Sequence, residues 1–328
     1  MSCSLIEKLT DEAIDQVVAK IYHNIQSPVE LVNQVCTHLI ASGGKRIRPR
    51  LMILCAGLIG GLEGVKNEDV IDMAAAIEII HTSTLMHDDV IDESSARRGH
   101  ESTNYAFGNS LAVLGGDYLF TKAFCMANEV NSPEHRIKIC SILADAIGTL
   151  VQGEIEQMQN IADTKLSEET YFKTIYAKTA ILFEVSARIS AVLSHASPQE
   201  SEQLALFGRA LGNAFQIADD IMDYTSSATQ MGKNIGDDLN EEKMTLPLIY
   251  LLNSALETSE HEKILVAFKN HDIETITTAL KTTDAIERCQ ARAQKEVDQA
   301  IEALTSFAPS AYKDALIMLV RHAAYRSA

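Results

Sequence analysis

The chain has 328 residues, with 28 Lys+Arg against 45 Asp+Glu and a formal net charge of −17. Hydrophobic residues make up 46% and charged residues 22%, which supplies ample core and excludes a mainly disordered chain. Broad nucleic-acid binding, which needs a basic face to displace counterions, is excluded by this acidity; a local basic pocket is not.

From the N-terminus, Met1 to Lys8 lacks the basic, apolar, small-residue order of a secretion signal. The longest nearly unbroken apolar stretch, Leu51 to Gly61, is shorter than the ~20 residues of a spanning helix, so no integral membrane segment is expected. Six scattered cysteines (Cys3, Cys36, Cys55, Cys125, Cys140, Cys289) form no Cys-x-x-Cys pair, and read as reduced thiols of a cytoplasmic protein. Prolines occur only at 28, 49, 133, 198, 247 and 309, leaving long intervals open to helix. Within them, Val70, Met73, Ala74, Ile77, Ile80, His81, Thr84, Leu85 and Asp88 step by three and four. Leu204, Phe207, Leu211, Ala214, Phe215 and Ala218 repeat that spacing, and Leu111–Val130 also reads as helix. Ser132-Pro133, Ser167-Glu168 and Ser197-Pro198 mark helix starts. The pattern predicts about ten or more helices, no sheet and no Gly/Ser linker: one all-α domain over 1–328.

Asp88-Asp89-Val90-Ile91-Asp92 ends the first apolar helix, and i,i+4 spacing puts Asp88 and Asp92 side by side, with Asp89 offset by about 100°. One such cluster reads equally well as a solvated helix end. A second copy, Asp219-Asp220-Ile221-Met222-Asp223, again follows an apolar helix. Crowded carboxylates need cations, and all-oxygen donors suit Mg²⁺, which shares its coordination with waters and phosphate oxygens. Asp88, Asp89, Asp92, Asp219, Asp220 and Asp223 are therefore candidate metal ligands. Gly43-Gly44-Lys45-Arg46-Ile47-Arg48-Pro49-Arg50 sets four cations beside flexible glycines, an anion pocket, and Arg97-Arg98-Gly99 closely follows the first cluster.

The ordered set of Gly-Gly-Lys-x-x-Arg-Pro, Asp-Asp-x-x-Asp with Arg-Arg-Gly, Lys178-Thr179, Gln216 with the second Asp-Asp-x-x-Asp, and Gly232-Lys233 resembles the trans-isoprenyl diphosphate synthases from about Leu31 to Pro247. Ile80–Asp92 followed by Glu93-Ser94 is most similar to their bacterial octaprenyl members. The resemblance implies a helical bundle around a central cavity, a homodimer, and up to three Mg²⁺ ions with an allylic diphosphate such as farnesyl diphosphate. Asp88, Asp92, Asp219 and Asp223 would hold that substrate through metal, and Lys178, Lys233, Lys243 and Arg97 would neutralise its leaving diphosphate. Lys45, Arg48, His81 and Arg98 would hold isopentenyl diphosphate, while Thr179 and Gln216 would orient the carbocation. His81 on an apolar face reads equally as a core histidine. Lys178, embedded in an apolar helix, reads as a pocket residue rather than a surface lysine. Asp237-Asp238 reads as part of a mobile loop.

Walking back from Asp88 along one helix face reaches Thr84, Ser83, Ile80, Ile77 and Ala76. Small residues there would leave a product tunnel open, and nothing is inserted between Asp89 and Asp92 as in bacterial short-chain relatives. The expected product is heptaprenyl to decaprenyl, centred on octaprenyl for a ubiquinone side chain. A floor from Phe120, Phe124 or Met126 is as consistent with ordinary core. In the family's usual Glu-Gly-Lys-x-Thr-Leu-Pro, Glu242 here replaces the glycine, whose use would be positive φ or close approach. A terpene cyclase would not need Lys45, Arg48 and Arg98. A non-catalytic prenyl-binding subunit would typically have lost aspartates or cations, and a shorter-chain synthase remains the alternative product class.

Overall fold

The computed structural model describes residues 4–97, 99–225, 236–254 and 257–325. The described elements are helices α1 (Ser4–Asn24), α2 (Glu30–Ala41), α3 (Ile47–Val65), α4 (Glu68–Ile91), α5 (Thr103–Phe107), α6 (Asn109–Glu129), α7 (Pro133–Gln159) and α8 (Glu168–Ile175). A π-helical turn, Tyr176–Ala180, leads into α9 (Ile181–Leu193), α10 (Pro198–Thr225), α11 (Asp237–Asn240) and α12 (Leu246–Leu252). They are followed by α13 (Thr258–Lys269), α14 (Ile273–Thr282), α15 (Ala285–Ala303) and α16 (Ala311–Ala324). The fold is all-α, as the periodicity predicts.

The proline and serine punctuation acts as expected: α7 and α10 open on Pro133 and Pro198, and Ser167 caps α8 by accepting from the Thr170 N–H at 3.1 Å. The expectation of no sheet needs one correction. Strands β1 (Ala96–Arg97) and β2 (His100–Glu101) pair antiparallel in a two-residue ribbon. Glu93 at φ 50° turns the chain out of α4, and Gly99 at φ 76° permits the reversal between the strands.

The fold divides into two compact units. One comprises Met1–Ala146, Leu182–Gly208 and Ala303–Leu319; the other comprises Ile147–Ile181, Arg209–Glu302 and Val320–Ala328. In the first, α3 and α4 are central, each packed on α1, and α4 lies along α6. The apolar stretch from Leu51 is core: Leu51, Met52, Ile53, Leu54, Cys55 and Ala56 are completely buried, contributing roughly 1.5–3 kcal/mol for each large side chain. A Cβ at Gly57 would come within 2.5 Å of the Tyr312 ring, so glycine there lets α16 approach α3. Among the described residues no helix is long and apolar enough to cross a membrane. The second unit is built around Tyr171, Ile175, Ile217, Ile221, Tyr224, Leu239, Leu248 and Phe268.

Candidate active site

The first aspartate cluster closes α4, with Asp92 as the residue just past its last turn. The three carboxylates separate by environment. Asp89 is fully buried, whereas Asp88 and Asp92 remain partly exposed. Asp89 Oδ1 accepts from Arg97 Nε at 2.8 Å and Nη2 at 2.5 Å, and its backbone oxygen accepts from Asn104 Nδ2 at 2.9 Å and Ser94 N at 3.0 Å. Burial alone would lower the Arg97 pKa, but Asp89, then Asp88 and Asp92, hold it above its ordinary value. The ribbon thus serves to bring one cation against the triad, in which Asp88 and Asp92 are the partly exposed members.

The basic loop is not one pocket of four cations, and this corrects the sequence reading. Arg46, in the left-handed region at φ 49°, is buried and paired with Glu78 at 2.6 Å. Arg50 turns to the Thr10 hydroxyl and to Asp11 at 2.8 Å. Arg48 lies over the Phe183 ring, 4.5 Å from its centre, and Lys45 is exposed next to Gly43 at φ 74°. His81 is half-buried on α4, where its carbonyl accepts from the Thr84 hydroxyl at 2.9 Å. Arg98, Gly232 and Lys233 lie outside the described residues.

Along α4, Ala76 and Ile80 are completely buried and Thr84 is half-buried, in i+4 steps that end at Asp88. Ser83 is also buried, but its hydroxyl donates to the Gly116 carbonyl of α6 at 2.7 Å. Met126 is core at 2% exposure, while the Phe120 ring lies 5.6 Å from that of His87.

In the second unit, α10 carries Asp219, Asp220 and Asp223, the last two buried. Asp220 accepts from Tyr171 OH at 2.6 Å and from Gln216 Nε2 at 2.7 Å, and Gln216 Oε1 accepts from the Thr179 hydroxyl at 2.7 Å. Burial pushes the Asp220 carboxyl up to about 7, with Asp219 and Asp223 adding to the rise and the two hydrogen bonds opposing it. Desolvation, with Asp220 and Asp223 nearby, also raises Asp238 well above the carboxylate range. Asp237 and Asp238, expected in a loop, instead open the helical turn α11, where Asp223 Oδ2 accepts from the Asp238 N–H at 3.2 Å.

Lys178 sits in the π-helical turn and is held by Glu154 at 3.0 Å and Gln157 at 2.7 Å, both on α7. A Cβ on Gly153 would lie 2.3 Å from the Ala177 side chain, so this glycine allows α7 to reach the turn. Lys243 pairs with Glu241 at 2.5 Å. Glu242 has φ 53°, so the positive φ anticipated for glycine is retained by a glutamate, whose carbonyl accepts from Ala162 N at 3.0 Å. Tyr171, Asn104, Glu154 and Gln157 escaped the sequence reading. The last two gave a faint signal as polar residues three apart beside a glycine.

Among the described residues no three candidate ligands converge into a closed metal cage. The oxygen donors come instead as i,i+4 pairs, which leave positions for waters and phosphate oxygens as Mg²⁺ prefers. Together with the crowding of Asp219, Asp220, Asp223 and Asp238, this donor set fits a hard divalent cation.

Residues 29–283 match the polyprenyl synthetase family. The chain belongs to that family. It is 39% identical to octaprenyl diphosphate synthase of Escherichia coli (strain K12), with 99% of each chain aligned. It is 37% identical to the all-trans-nonaprenyl-diphosphate synthase (geranyl-diphosphate specific) of Rhodobacter capsulatus, over 94% of this chain and 92% of the relative. The fold is similar to the crystal structure of polyprenyl synthase from Caulobacter crescentus CB15, complexed with calcium and isoprenyl diphosphate (TM-score 0.91, 34% identity, 100% of this chain and 98% of the other). A decaprenyl diphosphate synthase from Rhodobacter capsulatus is also similar (TM-score 0.89, 30% identity, 98% of each chain). This polyprenyl synthetase is therefore an enzyme, a prenyltransferase of isoprenoid biosynthesis.

Proposed function

We propose that the enzyme adds isopentenyl diphosphate units to an allylic diphosphate, farnesyl diphosphate being the expected starter, and releases all-trans octaprenyl diphosphate for a ubiquinone side chain. The observation that carries this reading is the pair of aspartate clusters, each presenting carboxylates at i,i+4 on its own helix beside a bound cationic residue or polar donor. The complete set of aspartates speaks against a non-catalytic subunit. The half-buried Thr84 one turn before Asp88, and relatives named for octaprenyl and nonaprenyl products, favour a long chain over a geranylgeranyl or farnesyl product.

Asp88, Asp92, Asp219 and Asp223, with Asp89 and Asp220 behind them, would hold Mg²⁺. When bound, the ion neutralises the diphosphate oxygens of the allylic substrate. Lys178, Lys243 and Lys233 stabilise the leaving diphosphate as the allylic C–O bond breaks and its electron pair departs with oxygen. Arg97, already held by Asp89, adds positive charge beside Asp88 and Asp92. Lys45, Arg48, Arg98 and His81 bind isopentenyl diphosphate with its alkene toward the cation. The alkene electrons form the new C–C bond, and a proton is lost to the released diphosphate. Gln216 and Thr179, tied to each other, orient the cation.

The whole chain, 1–328, is read as one catalytic domain acting in the cytoplasm as a homodimer. An open row on α7 supports the dimer: Ile137, Val151, Ile155 and Met158 are 74%, 53%, 52% and 52% exposed, and share one helix face with Ser141, Ala144 and Gly148. The test is incubation with labelled isopentenyl diphosphate, Mg²⁺ and either farnesyl or geranyl diphosphate, with an EDTA control and separation of products by length. A metal-dependent ladder ending near eight units is expected; no incorporation from either starter overturns the reading.

A further inference from the structure

We infer that Tyr171 is a positioning residue for the second aspartate cluster, fixing Asp220 so that Asp219 and Asp223 are presented in one set orientation. The inference rests on the reading of that cluster as a holder of Mg²⁺ and diphosphate. Both Asp220 oxygens already accept short hydrogen bonds, Oδ2 from Tyr171 at 2.6 Å and Oδ1 from Gln216 at 2.7 Å. The two donors differ in what they can do. Gln216 lies on α10 itself, four residues before Asp220, and moves with it; Tyr171 comes from α8 and ties one helix to another.

Tyr171 and Asp220 are each 3% exposed, so their bond is made away from competing water. The donor order runs from Thr179 to Gln216 to Asp220, with Tyr171 meeting it from the other side. The segment carrying Tyr171 continues into the π-helical turn that bears Lys178 and Thr179. Two latches eight residues apart therefore join that segment to α10, through Asp220 and through Gln216. The second latch lies within the π-helical turn, where Thr179 reaches Gln216 while the adjacent Lys178 reaches Glu154 and Gln157. Without the tyrosine hydroxyl, Asp220 keeps only its partner on its own helix. It is then able to turn toward Asp219 and Asp223, placing a further negative charge where diphosphate binds.

The test is Tyr171→Phe, which keeps the ring in the core and removes only the donor. Inorganic diphosphate is titrated calorimetrically into the full-length protein at saturating Mg²⁺, at a temperature where circular dichroism shows both proteins folded. The variant is expected to bind diphosphate about ten-fold more weakly, the order of effect of losing a hydrogen bond to a charged group. In turnover, KM for the allylic diphosphate should rise by a similar factor while KM for isopentenyl diphosphate stays within about two-fold; simple loss of folded enzyme would lower kcat and leave both KM values unchanged. Diphosphate affinity within about two-fold of wild type, whatever the melting temperature does, overturns the inference. Wild-type protein that binds no diphosphate in Mg²⁺ and makes no product overturns the reading of the site beneath it.

Discussion

The Ser83 hydroxyl donates to the carbonyl of Gly116 at 2.7 Å, joining α4 to α6. Ser83 and Thr84 are neighbours in sequence, yet one is sealed against a helix and the other is half-buried. Their substitutions should therefore differ in kind. Thr84→Tyr is expected to shorten the product ladder while initiation from the allylic starter continues. Ser83→Phe has to force α6 away and should destabilise the fold by about 1–3 kcal/mol or more. Product chromatography and thermal melting of the two variants check the contrast; an unchanged ladder for Thr84→Tyr would mean the chain grows along another path.

The aspartates of the first cluster should also separate. Asp88→Ala removes a partly exposed carboxylate and is expected to cost at least about a hundred-fold in turnover, with a melting temperature close to wild type. Asp89→Ala strands the enclosed Arg97 guanidinium and should cost about 3–5 kcal/mol of stability. Near-normal turnover in Asp88→Ala would remove that residue from the metal-holding set.

Within the basic loop, Arg46 and Lys45 carry the same charge and different duties. Arg46→Ala leaves Glu78 buried without its ion pair, with an expected loss of about 3–5 kcal/mol seen in urea unfolding. Lys45→Ala should leave the unfolding midpoint in place and raise KM for isopentenyl diphosphate by about ten-fold, the order of one charge-assisted hydrogen bond. Equal effects of the two variants on stability would contradict this division.

Glu242 holds a left-handed backbone that costs a side-chain-bearing residue of order 1 kcal/mol or more. Glu242→Gly should raise stability by about 1 kcal/mol, because glycine adopts this conformation without strain. The carboxylate it removes stands 3.8 Å from His271 at a half-exposed position, where an ion pair contributes little. A lower melting temperature in this variant would show that the glutamate contributes more to the segment before Lys243 than its geometry indicates.

Much of this was legible without coordinates. Helix starts at Ser132-Pro133, Ser167-Glu168 and Ser197-Pro198, the apolar faces, and the i,i+4 aspartates depend on interactions within about one helical turn, so the order of residues is enough to specify them. Partner choice was not legible. That Arg46 finds Glu78, Arg97 finds Asp89, Ser83 finds Gly116 and Tyr171 finds Asp220 depends on chain segments brought together from 8 to 49 residues apart. A run of four cations looks uniform in one dimension; packing then pairs Arg46 with the buried Glu78 and Arg50 with the exposed Asp11, while Lys45 is itself exposed. Composition and spacing determined which chemistry the chain carries. Only the packing decided which carboxylates and cations stay available for it, because a buried charge must be paired before it can be tolerated.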